Sequence, residues 1–156
     1  MSNAPWLKKA ADLYDESGFR DGDILSHDWI RWALDVPEPR SLEHVTENQF
    51  LLMSRFEAFR EWLLIERKTA LQSVRGKGYW IVPPDEHARV AVDEAMKDVA
   101  KGLRRGGKML SHARTEMMSS DARKRHTDAE VRMSGIRSLM SRQRRDVFLL
   151  FKKSAD

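Results

Sequence analysis

Residues 71–83 read LQSVRGKGYWIVP, two apolar runs set around Arg75-Gly76-Lys77-Gly78. The segments TALQSV and YWIV are rich in the β-branched and aromatic residues that suit strands. A short glycine-bearing loop between two such runs predicts a β-hairpin. The glycines supply the positive φ that a tight tip requires. They do not explain the cations. A lysine or arginine on a hairpin tip can reach a backbone phosphate without reading sequence. The plain alternative is a turn with a solvated lysine.

Upstream of the hairpin the text is helical. Pro5 to about Ser17 places Trp6, Leu7, Ala10, Ala11 and Tyr14 on one stripe, with Gly18 as the C-cap. Asp21-Gly22-Asp23 is turn chemistry, and Ile24-Leu25 predicts a very short strand. Ser26 is a good N-cap for a helix through Trp29, Ile30, Ala33 and Leu34, which Pro37 and Pro39 stop. Thr46 with Gln49 reads as a capping box. It predicts a helix running to about Glu66 with Leu52, Phe56, Phe59 and Leu63 as its stripe.

Pro83-Pro84 is the expected domain boundary, giving a first domain over 5–83 and a helical region over 84–156. In the second region, 85–105 is amphipathic, with Val92, Ala95, Met96, Val99 and Leu103 as its stripe. Gly106-Gly107 is expected to end that helix, and 108–118 to be helical again. Ser119 or Ser120 is expected to cap a last helix from 121 to about 151, carrying Ala129, Met133, Ile136, Leu139 and Met140. That helix ends in VFLLF, residues 147–151, between Arg144-Arg145 and Lys152-Lys153. The run reads as a buried terminal turn or a docking segment. The fold class expected is mainly α with a small β-hairpin.

The order helix, strand, helix, helix, strand, turn, strand is that of a winged helix-turn-helix domain. VRGKGYWIV resembles the wing of response-regulator effector domains, where a V-R-G-x-G-Y string joins the last two strands. The resemblance covers the wing string and the order of elements, not the whole chain. It implies that Arg75 and Lys77 lie near backbone phosphates, that Gly76 and Gly78 allow the turn and a close approach, and that Tyr79 packs the wing onto the domain. It also implies that the helix behind Thr46 reads the major groove. Asn48, Gln49, Arg55, Arg60 and Arg67, with Lys68, are then the candidate reading residues. Asparagine and glutamine can pair bidentately with adenine, and arginine with guanine. The function expected on this reading is a bacterial or phage-type DNA-binding regulator or accessory factor. The alternative is a protein-interaction module, an adaptor or an inhibitor of a nucleic-acid enzyme, on the same scaffold. Glu57, Glu61 and Glu66 on the reading helix favour the alternative, because they would repel phosphates.

Charge sharpens that tension. The 156 residues are 41% apolar and 33% charged, with a net charge of +4. Residues 1–83 hold 11 Lys and Arg against 13 Asp and Glu; residues 84–156 hold 17 against 11. Within 104–145 the count is 12 against 4, so basic side chains must remain unpaired there. Arg104 and Arg105, with Lys108 and Arg114, are candidate phosphate contacts. No aromatic lies between residues 81 and 147, which removes base stacking from this half. The bland reading of these cations is the wet face of amphipathic helices. The stripes of 88–103 and 129–140 must nonetheless bury against something, and a homodimer through these helices is expected.

The chain has no cysteine, which excludes disulfides, thiolate metal sites and a cysteine nucleophile and suits a reducing cytoplasm. No stretch approaches the ~20 apolar residues that span a bilayer, and MSNAPWLKKA lacks the core of a signal peptide. His112 with Glu116, and His126 with Glu130, have the i, i+4 spacing of paired metal ligands, but neither pair has a third partner. RGKG lacks the flanking residues of a Walker loop, and there is no nucleophile elbow. No enzyme activity, cofactor or metal is expected.

Overall fold

The computed structural model describes residues 4–152. Lys153, one of the cations flanking VFLLF, lies outside the described residues. The elements in chain order are α1 (Pro5–Glu16), β1 (Ile24–Ser26), α2 (His27–Ala33), α3 (Leu42–Glu66), β2 (Leu71–Val74), β3 (Gly78–Ile81), α4 (His87–Ser111) and α5 (Ser120–Lys152). Single turns of 3₁₀ helix stand at Pro84–Glu86 and Thr115–Met117. The protein is mainly helical with one small three-stranded antiparallel sheet, in the order β1-β3-β2. It divides into two compact units, Met1–His87 and Ala88–Asp156, so the break falls just past the proline pair.

The first unit follows its local signals closely. Pro5 sits in the first turn of α1, and Gly18 follows the Ser17 C-cap with φ +65°. The Ser26 hydroxyl accepts the Trp29 N–H at 3.1 Å and so caps α2. The start of α3 differs from the expectation. Ser41 is the N-cap, accepting the His44 N–H at 3.4 Å, and the helix begins at Leu42. Thr46 and Gln49 therefore lie inside the helix, not at its cap. Nothing after Pro39 forbids helical dihedrals, and Ser41 is as competent a cap as Thr46, so the earlier start adds a turn.

Ala10, Leu25, Ile30, Leu34, Phe56, Phe59, Leu63, Leu71 and Ile81 form the buried core, joining α1, α2, α3 and the sheet. Trp6, Leu7, Tyr14, Phe19, Trp29, Leu52, Trp62 and Tyr79 pack around it. In the sheet, β3 is central. Tyr79 lies opposite Leu25 of β1 and Ser73 of β2, while Gly78 faces Ser26 and Val74. Gly78 has φ +137°, and a Cβ built there would run into the Leu25 carbonyl. Strand β1 can approach β3 this closely only because residue 78 has no side chain.

In the second unit, α4 and α5 run antiparallel. Gly106-Gly107 does not end α4, which continues through both glycines to Ser111. Each glycine costs a helix only ~1 kcal/mol relative to alanine, and here the missing side chains have a use. A Cβ on Gly106 would lie 3.1 Å from the Met133 methyl, and one on Gly107 would meet the Arg137 guanidinium. The pair lets α5 close on α4. The expected helix over 108–118 is reduced to the end of α4 and the 3₁₀ turn Thr115–Met117. The Ser119 hydroxyl accepts the Ala122 N–H at 3.2 Å, as a cap for α5 should. VFLLF is not a buried turn: Phe148, Leu149 and Leu150 are exposed, and Val147 and Phe151 are half-buried.

All five tryptophans lie in the first unit, so their fluorescence reports its unfolding. Gly78→Ala is expected to cost ~2 kcal/mol or more by this readout, because it adds a backbone clash to an unfavourable φ. Gly76→Ala, at φ +74° with open space around it, should cost ~1 kcal/mol. Equal losses at the two positions would mean that β1 is not held against Gly78.

Candidate nucleic-acid interface

The hairpin tip is a tight turn. The Lys77 N–H donates to the Val74 carbonyl at 3.0 Å, and Gly76 supplies positive φ at the third turn position. That is the pattern of a type II turn, which needs glycine there. It leaves Arg75 and Lys77 on either side of the tip, both exposed and neither in an ion pair among the described residues. The Tyr79 ring anchors the hairpin, 4.2 Å between centroids from Phe56 on α3 and 5.9 Å from His27 at the start of α2. The tip cations thus stand on a braced base.

The candidates on and after α3 fare differently. The Asn48 amide donates to the Pro37 carbonyl at 2.9 Å, tying the α2–α3 connection to the helix. Arg55 is half-buried, its Nη1 donating to the carbonyls of Leu34 and Asp35 at 2.7 and 2.8 Å. Its guanidinium also lies over the Trp6 ring, 5.3 Å from the centroid. Arg55 therefore satisfies the carbonyls left open at the end of α2 and joins α1, α2 and α3. Asn48 and Arg55 are not the freely exposed pair that groove reading needs. Arg60 is half-buried, with Glu57 at 4.0 Å. Gln49 and Lys68 are exposed, and Lys68 has φ +54°.

Arg67 binds the Asp15 carboxylate in bidentate fashion, Nε to Oδ1 at 3.0 Å and Nη2 to Oδ2 at 2.5 Å. It also stacks over Trp62, 4.7 Å from the ring centroid. The hydrogen bonds from Arg67 hold the Asp15 carboxyl below the usual carboxylate range, and the same pairing raises Arg67. Lys9 likewise lowers Asp35 by a 3.0 Å bond. Burial raises the Tyr14 hydroxyl. Sequence reasoning missed the Asp15–Arg67 clamp, since its members are 52 positions apart and no periodicity relates them.

The outward side of α3 settles what that helix offers a partner. Its fully exposed charged residues, Glu43, Glu47, Glu57, Glu61 and Glu66, are all glutamates. Phe50, Met53 and Leu64 are exposed among them. An apolar hollow of about 880 Å³ lies between α1 and α3, lined by Leu7, Ala11, Trp62 and Ile65 with Lys8 and Glu61 at its edge. In the second unit, Arg104 and Arg105 are exposed on α4, as are Arg123, Lys124, Arg125, Arg142 and Arg145 on α5.

Among the described residues no three histidine, aspartate or glutamate side chains gather as metal ligands. His126 meets Glu130 at 3.6 Å, and His112 Nδ1 lies 2.9 Å from the Lys108 carbonyl rather than on Glu116. No helix among the described residues is long and apolar enough to cross a membrane. Comparison with family models, with curated proteins and with solved structures finds no match.

The clamp has a pH signature. Because the folded-state pKa of Asp15 is depressed, its stabilising contribution is complete above the ordinary carboxylate range and lost as pH falls through the folded value. Asp15→Asn should cost under ~1 kcal/mol at neutral pH, as for other exposed pairs. The gap from the wild type, read by tryptophan fluorescence in urea, should close below pH ~4. A gap unchanged down to pH ~3 would show that the charge on Asp15 contributes nothing.

Proposed function

We propose that this protein is a DNA-binding accessory factor or regulator of winged helix-turn-helix type. The wing is the β2–β3 hairpin, and Arg75 and Lys77 are its phosphate contacts. One observation carries the reading: two exposed cations flank a glycine turn whose base Tyr79 packs onto α2 and α3. The antiparallel strand order β1-β3-β2 behind α3 supports the same assignment. Arg104, Arg105 and the exposed arginines of α5 add sequence-independent attraction to the duplex. The outward glutamates of α3 oppose its insertion into the major groove, so binding is dominated by backbone contact and discriminates weakly among sequences.

Fluorescence anisotropy on a random duplex, titrated at several salt concentrations, tests this. Arg75→Ala with Lys77→Ala should weaken binding similarly on all sequences. It should also flatten the plot of log affinity against log salt by about 1 to 2 units, since each lost phosphate contact removes ~0.9. An unchanged slope and affinity in the double variant would remove the wing from the interface.

The outward face of α3 favours a second reading, a protein-interaction module on the same scaffold. Phe50, Met53 and Leu64 among Glu43, Glu47, Glu57 and Glu61 form a surface suited to a basic, apolar partner. Absence of duplex binding even at low salt would select this reading over the first.

A further inference from the structure

The second unit carries an apolar seam that its own two helices only half cover. Val92, Met96, Val99, Leu103 and Leu110 recur along α4 at alternating spacings of four, three, four and seven, the register of a coiled-coil seam. Ala129, Met133, Ile136, Met140 and Val147 continue that register on α5. Yet no residue of the 33-residue α5 is buried. Two helices can cover each other along one line only, and a long helix draws most of its stability from burying a face.

The helices meet tightly at Gly106-Gly107, where Met133 and Arg137 approach. From there along the hairpin two hollows of about 390 and 360 Å³ lie between the helices, sharing Met96 and Arg144 and so running on as one groove. Its floor is apolar: Val92, Met96, Leu103, Met140, Val147 and Phe151. The rest of the lining is basic: Arg89, Lys97, Arg104, Arg144 and Lys152, with the Arg137 guanidinium held at the Leu103 carbonyl. The lining holds one carboxylate, Asp93, which lies 3.4 Å from Arg89.

We infer that this groove receives an acidic amphipathic helix from a partner protein. The floor calls for apolar side chains at helical spacing, which nucleic acid does not offer. The rim calls for carboxylates. A second copy of the same hairpin would bring further cations to a rim where Lys97, Arg104, Arg144 and Lys152 already stand. An acidic helix would neutralise them, and its apolar face would cover the seam. From Arg89 to Arg104 the groove follows α4 for about four helical turns, ~22 Å, so some fifteen partner residues suffice. The inference does not rest on the wing; Arg104 and Arg144 are also among the cations assigned to duplex attraction, and the duplex arm of the test separates the two uses.

The test uses the full chain and a fluorescein-labelled designed peptide of about 21 residues, with leucines on one helical face and glutamates elsewhere. A second peptide has the same composition with the leucines shuffled off that face. The amphipathic peptide should bind, weaken with salt, and bind at least about 10-fold more tightly than the shuffled one. Lys97→Glu with Arg144→Glu, both at exposed positions, should weaken it by about 10-fold or more while helicity by circular dichroism is retained. Three results would overturn the inference: equal binding of the shuffled peptide, no loss in the double variant, or a full-length dimer that Met96→Asp splits into helical monomers. So would failure of the peptide to bind where a duplex oligonucleotide binds and loses affinity in the same double variant.

Discussion

Phe59 is the side chain around which the first unit closes. It is fully buried and meets the rings of Tyr14 on α1, Trp29 on α2 and Trp62 on its own helix at centroid distances of 6.2, 6.3 and 6.0 Å. One turn earlier, Phe56 packs on Tyr79 of the central strand. A single stripe of α3 thus gathers two helices and the sheet. Each such ring contributes ~1.5–3 kcal/mol by burial, with a further increment from ring geometry. The polar residues beside the stripe are drawn into the same task. Arg55 closes the end of α2, Asn48 holds the connection before α3, and Arg67 clamps α1 from the far end. A half-buried guanidinium that gives Nη1 to two backbone carbonyls has fewer donors left for a guanine edge. The fold therefore takes from α3 several of the side chains that would have served in base reading.

Gln49 apart, the exposed side chains of α3 are mostly acidic and apolar, and this constrains the way the first unit can meet a polyanion. A phosphate approaching the outward face of the helix meets four exposed carboxylates, Glu43, Glu47, Glu57 and Glu61, whereas one approaching the hairpin tip meets two cations. At physiological salt such fields decay over ~8 Å, so local charge rather than the net total sets what each surface attracts. The slightly negative total of residues 1–83 conceals this division. The same division allows one surface to touch a duplex and the other a protein.

Much of the first unit was legible because its signals are local. Ser26 before an apolar helix, Gly18 after one, and two strand-like runs around RGKG each specify structure within a few residues. The start of α3 was misjudged because two competent caps stand close together, and only the freedom of the chain after Pro39 decides between them. The exposure of Arg75 and Lys77 was legible, because it follows from turn chemistry. It was not legible on α3, where Asn48, Arg55 and Arg67 find partners remote in sequence. In the second unit, Gly106-Gly107 was read by its backbone preference alone. The pair instead acts through the side chains that it lacks, a property visible only once α5 lies against α4.

Those two glycines also bear on why the groove opens where it does. A seam of regular register would be expected to close along its whole length. At the glycine end the two backbones can approach, and Arg137 donates across to the Leu103 carbonyl at 3.4 Å. At the other end, Lys97 on α4 faces the same hollow as Arg144 and Lys152 on α5, and all three are exposed cations. Like charges facing each other over an apolar floor resist closure, and no acid of the lining other than Asp93 offsets them. Burial of the apolar seam favours bringing the helices together, and the like charges along the lining oppose it. Carboxylates brought to the rim would relieve the repulsion as the apolar side chains beneath them fill the floor. A partner carrying carboxylates beside an apolar face would answer both terms at once.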